Sequence, residues 1–230
     1  IYAGGPLGLS EEPVWHYHEP DSGALLGFSI GGPSDLDGDG RLDFVVGRPG
    51  RETMLPGNRP GAVTLFRGLR GGTMGRPQRM FWSKESYQAW GRAVDFSGDF
   101  NGDGLPDLVI AAPYSRQSGF QGEGHVALHV GTPRGMFHHL PALLSTGGAQ
   151  EMRFGLGLAR GDFDGDGLSD LVIASPRADR ASGEVDTGRV DVIYGSRALG
   201  RTPLRWVAAS DRWAAQSPGP AMPQQELTLS

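Results

Sequence analysis

The sequence predicts an all-β chain of repeated four-stranded antiparallel modules, on three observations. An acidic loop is written three times, as DLDGDGRLD at 35–43, DFNGDGLPD at 99–107 and DFDGDGLSD at 162–170. The copies keep step: Gly27, Gly91 and Gly155 stand 64 residues apart in turn, and a fixed period this long marks a modular array. The segments between the loops read as short strands, while no stretch carries a convincing helical period.

The elements follow in order. Residues 1–25 open the chain as the last two strands of a partial module. IYAGGPLGL (1–9) resembles IYGSRALGR (193–201), and PVWHYHEP (13–20) takes the fourth-strand slot. The first full module, 26–86, runs through LLGFSIGG, the loop 35–43, DFVVGRP, GAVTLFRG (61–68) and RMFWSKE (79–85). The second, 87–147, repeats the plan with AWGRAVDFSG, 99–107, DLVIAAP, GHVALHVG (124–131) and PALLSTG (141–147). The third, 148–210, has RFGLGLARG, 162–170, DLVIASP, GRVDVIYG (188–195) and LRWVAAS (204–210). The second strands are β-branched apolar runs stopped by Pro, which cannot donate to a ladder. The third strands alternate apolar and polar residues, as half-buried strands do. Residues 211–230 form a degenerate first strand, a candidate second strand in QELTLS, or a linker tail. Four-stranded modules repeated about an axis make a β-propeller. The expected architecture is therefore three full blades plus partial blade strands at both ends.

Each acidic loop places Asp or Asn at positions one, three, five and nine, with Gly at six. This spacing lets short carboxylates converge on one hard cation while Gly makes the sharp turn, so three Ca²⁺ sites are expected. The side-chain ligands are Asp35, Asp37, Asp39 and Asp43 in the first loop, with the Arg41 carbonyl. They are Asp99, Asn101, Asp103 and Asp107 in the second, with the Leu105 carbonyl. They are Asp162, Asp164, Asp166 and Asp170 in the third, with the Leu168 carbonyl. A variable seventh residue is natural if only its backbone coordinates. Plain Asp/Gly turns have no reason to repeat carboxylates at the same offsets. An EF-hand needs a ligand at position twelve and flanking helices; position twelve here is Val46, Ile110 and Ile173, inside strand patterns.

An aromatic-Gly, then D-x-D/N-x-D-G-x-x-D, then a strand closed by G/A-x-P, resembles the FG-GAP repeat of integrin α-subunit propellers. The resemblance covers roughly 26–210. Gly47-Arg48-Pro49, Ala111-Ala112-Pro113 and Ala174-Ser175-Pro176 depart from strict G-A-P, the first repeat reads Gly27-Phe28, and the second has Trp90 for Phe. The resemblance implies a non-enzymatic, calcium-stabilised binding or adhesion module that recognises a protein or glycan partner through loops between strands. It implies an extracellular setting, secreted or at a cell surface, in a bacterial source. It also leaves open a carbohydrate-binding lectin, or an accessory domain of a secreted hydrolase. Three full blades and two partial ones leave open a piece of a larger propeller, a four-blade ring closed by pairing the ends, or an oligomeric ring; the family's usual seven blades favour the first, with missing blades completing the ring.

Composition narrows the classes. The three loops hold eleven of the 26 acidic side chains and one of the 21 bases, so outside them the bases outnumber the acids. The acidity is local, no basic run suits a phosphate backbone, and no nucleic-acid partner is expected. Zero Cys excludes a disulfide framework and Cys-ligated zinc. No membrane span is expected. His16, His18, His138 and His139 lack a third metal ligand in any recognisable spacing. Trp15, Trp82, Trp90, Trp206 and Trp213 read as repeat packing ahead of a sugar-stacking surface. The second-to-third-strand connections, 50–61, 114–124 and 177–188, differ among the repeats and are candidate recognition loops. No catalytic residues are assigned.

Overall fold

The computed structural model describes residues 1–6, 8–20, 23–50, 61–82, 88–116, 120–179, 185–200 and 205–208. The expected tail 211–230, the connection 51–60 and the middles of the other two connections lie outside the described residues. The strands are β1 Gly4–Gly5, β2 Gly8–Leu9, β3 Ser29–Ser34, β4 Asp43–Arg48, β5 Ala62–Phe66, β6 Gln78–Trp82, β7 Ala93–Gly98, β8 Asp107–Ala112, β9 His125–His129, β10 Gly131–Thr132, β11 Met136–Phe137, β12 Leu143–Thr146, β13 Gly157–Gly161, β14 Asp170–Ser175, β15 Arg189–Ile193 and β16 Arg205–Ala208. Among the described residues no helix is long and apolar enough to cross a membrane.

Three meandering sheets are the blades. The first is β3-β4-β5-β6, the second β7-β8-β9-β12, and the third β13-β14-β15, with antiparallel neighbours throughout. The innermost strands of successive blades lie against each other, β3 on β7 and β7 on β13. The blades stack face to face, and β8 shows why its sequence is a continuous apolar run. Leu108 and Ile110 join Val45, Val63, Leu65 and Phe96 between the first two blades. The alternate residues Val109 and Ala111 join Val126, Leu128, Leu171 and Ile173 between the second and third. Burial on both faces leaves no room for the polar alternation of a one-sided strand. Each such Leu, Ile or Val contributes about 1.5–3 kcal/mol.

The seam between blades is set by glycine. A Cβ on Gly47 would run into the Gly91 carbonyl, and one on Gly61 into the Trp90 backbone. The aromatic-Gly segment of each later blade thus lies directly on the backbone of the blade before it.

Three features differ from the sequence reading or add to it. Residues 1–25 carry the short hairpin β1-β2, and no strand runs through 13–20. A fourth strand needs a third to pair with, and Pro13 lacks the donor that pairing uses. Instead the segment packs by side chains: Trp15 sits edge-on to Phe66 (5.3 Å) and Phe44 (6.3 Å), and Tyr17 edge-on to Phe66 (5.4 Å). Glu19 reaches the buried Arg48 at 2.7 Å, which explains why an arginine stands in this repeat's G-x-P. The predicted fourth strand of the third blade also behaves differently. β16 pairs in parallel with β12, the outer strand of the second blade, and not with β15. The β12 edge presents unpaired N–H and C=O groups that a nearby extended segment can satisfy. Third, the hairpin β10-β11, inserted between the third and fourth strands of the second blade, has no counterpart in the sequence reading.

Candidate metal-binding loops

Each acidic loop joins the first strand of a blade to the second, so all three hang from the same end of their sheets. The second-to-third-strand connections leave from the opposite end. The loop wraps around its own first carboxylate. Asp35 Oδ1 accepts the N–H groups of Gly38 (2.8 Å) and Asp39 (3.1 Å), and Oδ2 accepts that of Gly40 (2.8 Å). Asp99 repeats this with Gly102, Asp103 and Gly104, and Asp162 with Gly165 and Gly167. The tight wrap requires positive φ at positions four and six, where all three loops carry Gly.

Position nine works as a clamp. Asp43 Oδ2 accepts Leu36 N–H (3.1 Å) and Oδ1 accepts Gly68 N–H (2.9 Å). Asp107 does the same with Phe100 and Gly131, and Asp170 with Phe163 and Gly195. One buried carboxylate thereby ties the loop's second residue to the end of the third strand. Burial raises Asp107 to about 7, against the N–H bonds that favour its charge, and nearby Asp103 and Asp99 push the same way. Asp43 is also raised by burial.

The structure brings together positions one, three and five. The carboxylates of Asp35, Asp37 and Asp39 converge with ligand atoms within 4.8 Å of one another, and so do those of Asp162, Asp164 and Asp166. In the second loop the Asn101 amide donates to Asp103 Oδ2 at 3.0 Å, beside Asp99. Asp43, Asp107 and Asp170 stand outside the converged sets, with both oxygens engaged by backbone. Position seven enters through its main chain: Arg41, Leu105 and Leu168 each donate N–H to the position-five carboxylate at 2.8–2.9 Å. An all-oxygen, carboxylate-rich donor set fits a hard divalent cation and excludes a thiolate metal.

The other candidate residues separate cleanly. His16 and His18 are exposed with rings 5.5 Å apart, and among the described residues no histidine joins a metal-ligand cluster. Trp15 and Trp90 pack within the protein, Trp90 at 5.1 Å from the buried His125. The side chains of Trp82, Trp206 and Trp213 lie outside the described residues. Sequence reasoning overlooked a G-x-S-x-G string at Gly27–Gly31. Ser29 opens a β-strand, and its Oγ donates to the Gly91 carbonyl at 2.9 Å, so it braces the blade seam and is no nucleophile elbow. Phe28, the aromatic of the first repeat, stands exposed beneath Arg92, 4.0 Å from guanidinium to ring, while Phe154 in the third is fully buried.

Comparison with known proteins matches these features. The FG-GAP-like repeat family matches residues 35–110 and 99–173, and the FG-GAP repeat family matches 154–193. Integrin alpha-PS3 of Drosophila melanogaster is 30% identical over 164 residues, covering 68% of this chain and 14% of its own length. Integrin alpha-V of Gallus gallus is 30% identical over 204 residues, covering 86% and 18%. Phosphatidylinositol-glycan-specific phospholipase D of Rattus norvegicus is 30% identical over 189 residues, covering 74% and 22%. The chain thus spans under a quarter of the length of these curated relatives. They are animal proteins, and nothing in them supports the bacterial source expected from the sequence.

Proposed function

The chain belongs to the FG-GAP repeat family, an integrin-like β-propeller fold, and from that premise we propose that it is a calcium-stabilised binding module rather than an enzyme. The observation that carries this reading is the shared wrap of three loops around their first carboxylate, with the acidic oxygens of positions one, three and five converging in the first and third loops. In each loop Ca²⁺ would be held by positions one, three and five, with the position-seven carbonyl and position nine behind them. Bound calcium neutralises carboxylates that otherwise repel one another, so binding energy becomes folding energy. The ion's role is then structural, and partner recognition falls to the strand connections at the opposite end, which differ among repeats. An extracellular setting follows, because oxygen sites of this kind fill where calcium is abundant.

Metal analysis after dialysis against Ca²⁺ should give three ions per chain. EDTA should lower the melting temperature markedly and Ca²⁺ should restore it. Fewer than two ions, or an unchanged melt once the metal is shown to be gone, would sink the proposal. The phospholipase D relative favours a second reading, an accessory repeat domain of a larger secreted hydrolase. A catalytic domain in the parent reading frame would support it.

A further inference from the structure

The first loop differs from the other two in carrying its own cations. Arg67 follows β5 and reaches toward the second blade. Its Nη1 lies 2.6 Å from Asp37 Oδ2 and 3.5 Å from Asp43 Oδ2. Its Nη2 donates to the Gly135 carbonyl in the β10-β11 turn and lies 3.8 Å from Met136 Sδ. Arg41, at position seven, pairs with Asp39 and donates from Nε to the Gly68 carbonyl at 3.2 Å. Two of the three converging carboxylates therefore already hold a guanidinium.

The corresponding positions of the other repeats carry no cation, and although the Arg197 guanidinium lies beside Gly102 of the second loop, it makes no ion pair with that loop's carboxylates. The counterparts of Arg67, each preceding the glycine that the clamp holds, are Val130 and Tyr194, and those of Arg41 are Leu105 and Leu168. Among the described residues no salt bridge reaches the acidic loop residues of the second or third repeat. The Arg67 side chain is only 18% exposed, so its charge acts through less than bulk water. The turn it holds has no slack either: Gly135 lies flat against Asp37, where a Cβ would collide with the Asp37 side chain.

We propose that Arg67 is a tethered counter-cation of the first loop, competing with calcium for Asp37 and coupling the occupancy of that loop to the β10-β11 turn. The inference rests on the calcium reading above. A divalent ion and a guanidinium cannot share one carboxylate without mutual repulsion. Either the ion binds less tightly or the guanidinium lets go of Asp37. If it lets go of Asp37, it keeps the Asp43 carboxylate at 3.5 Å and the Gly135 carbonyl, and a shift of the guanidinium between them is felt by the turn. The first loop should then bind calcium more weakly than the third, which has four Asp at the same positions and no cation among them. The competing account is that Arg67 is a positioning residue that orients Asp37 for the ion, in which case removing it weakens binding.

The test is a calcium titration of the chain followed by two-dimensional amide NMR at the position-six glycines, Gly40, Gly104 and Gly167, which report the three loops separately. In the unaltered chain Gly167 should saturate before Gly40, and the Gly135 amide should shift in step with Gly40. In Arg67→Gln the Gly40 response should move to calcium concentrations about tenfold lower, with Gly104 and Gly167 unchanged. Arg67→Lys keeps the charge and should stay close to the unaltered chain. Weaker or equal binding at Gly40 in Arg67→Gln, or an equal gain in Arg67→Lys, would overturn the competition. A Gly135 amide that stays still while Gly40 titrates would overturn the coupling. Calcium responses at Gly104 and Gly167 without any Arg67→Gln effect would leave the calcium reading standing and sink this inference alone. No response at any of the three glycines would defeat both.

Discussion

The second and third blades carry nearly the same sequence, DFNGDGLPDLVIAAP against DFDGDGLSDLVIASP, yet they live in different surroundings. Phe100, the second residue of its loop, is 2% exposed in the core between blades, whereas its counterpart Phe163 is 57% exposed. The second loop is braced from the next blade by Ser169, whose Oγ accepts Asp99 N–H at 3.1 Å and whose N–H donates to the Asp99 carbonyl at 2.9 Å. Ser196 N–H reaches the Phe100 carbonyl at 2.8 Å. No described residue follows the third blade to do the same, and Val190, Val192 and Tyr194 of its outer face are exposed. A repeat thus encodes half of each interface, and the neighbour supplies the rest.

Phenylalanine truncation is the strongest way to break this comparison. Phe100→Ala should cost about 3–5 kcal/mol in chemical denaturation, the range for a large core aromatic, while Phe163→Ala should stay within about 0.5 kcal/mol. An equal loss at both would mean that Phe163 is covered by something outside the described residues.

Acid comes next, because it should strike the second blade selectively. His125 and His129 are buried there, and burial lowers both to about 4. Their counterparts in the third blade are Arg189 and Ile193. The unfolded chain takes up these protons first, near the ordinary pKa of 6.5, so their contribution is present above that pH and is lost as pH falls toward 4. The loss should be up to about 3 kcal/mol for each histidine. Asp107 runs the opposite way in metal-free protein. Its folded pKa of about 7 exceeds the unfolded 3.8, so stability falls as pH rises between those values. Denaturation curves from pH 4 to 8 in Asp107→Asn should isolate the histidine arm, and His125→Gln should flatten it. An unchanged slope in His125→Gln would discard the assignment.

The clamps should show the smallest difference between the blades. Asp107 and Asp170 are equally buried and each accepts one N–H from its own loop and one from the third strand's end. Their partners belong to one blade, so neighbours matter little. Asp107→Asn and Asp170→Asn each turn an amide NH2 toward one of the two clamped backbone N–H groups, so each should cost about 1–3 kcal/mol, the range for a buried donor left unpaired, and agree within about 1 kcal/mol when melted in EDTA. A clamp that fails far more readily in the third blade would show that the position-nine carboxylate also depends on the neighbouring sheet.

These contrasts also mark how far the sequence could be read. The loops, the period and the strands β4, β5, β8, β9, β14 and β15 were legible because local pattern dictates them: carboxylate offsets fix the wrap, and apolar runs ending in Pro fix the strand. Position nine was legible as acidic but not as a clamp, since its partners Gly68, Gly131 and Gly195 sit about 25 residues away and carry no side-chain signal. The N-terminal segment was legible only as a resemblance, because similarity between 1–9 and 193–201 says nothing about whether a pairing edge is present. Arg67 was unreadable for a related reason: its meaning lies in the turn at Gly135, 68 residues on. β16 went astray because an extended segment takes whichever edge it meets.

The glycine seam carries a consequence for how such chains can diverge. Gly47 belongs to one repeat and Gly91 to the next, and their backbones touch where neither can carry a methyl group. A blade lifted from here and grafted into another propeller brings only one lip of that joint. The portable piece is therefore the half-blade pair that straddles a seam, cut through the middle of two sheets, rather than the blade that the repeating sequence draws to the eye.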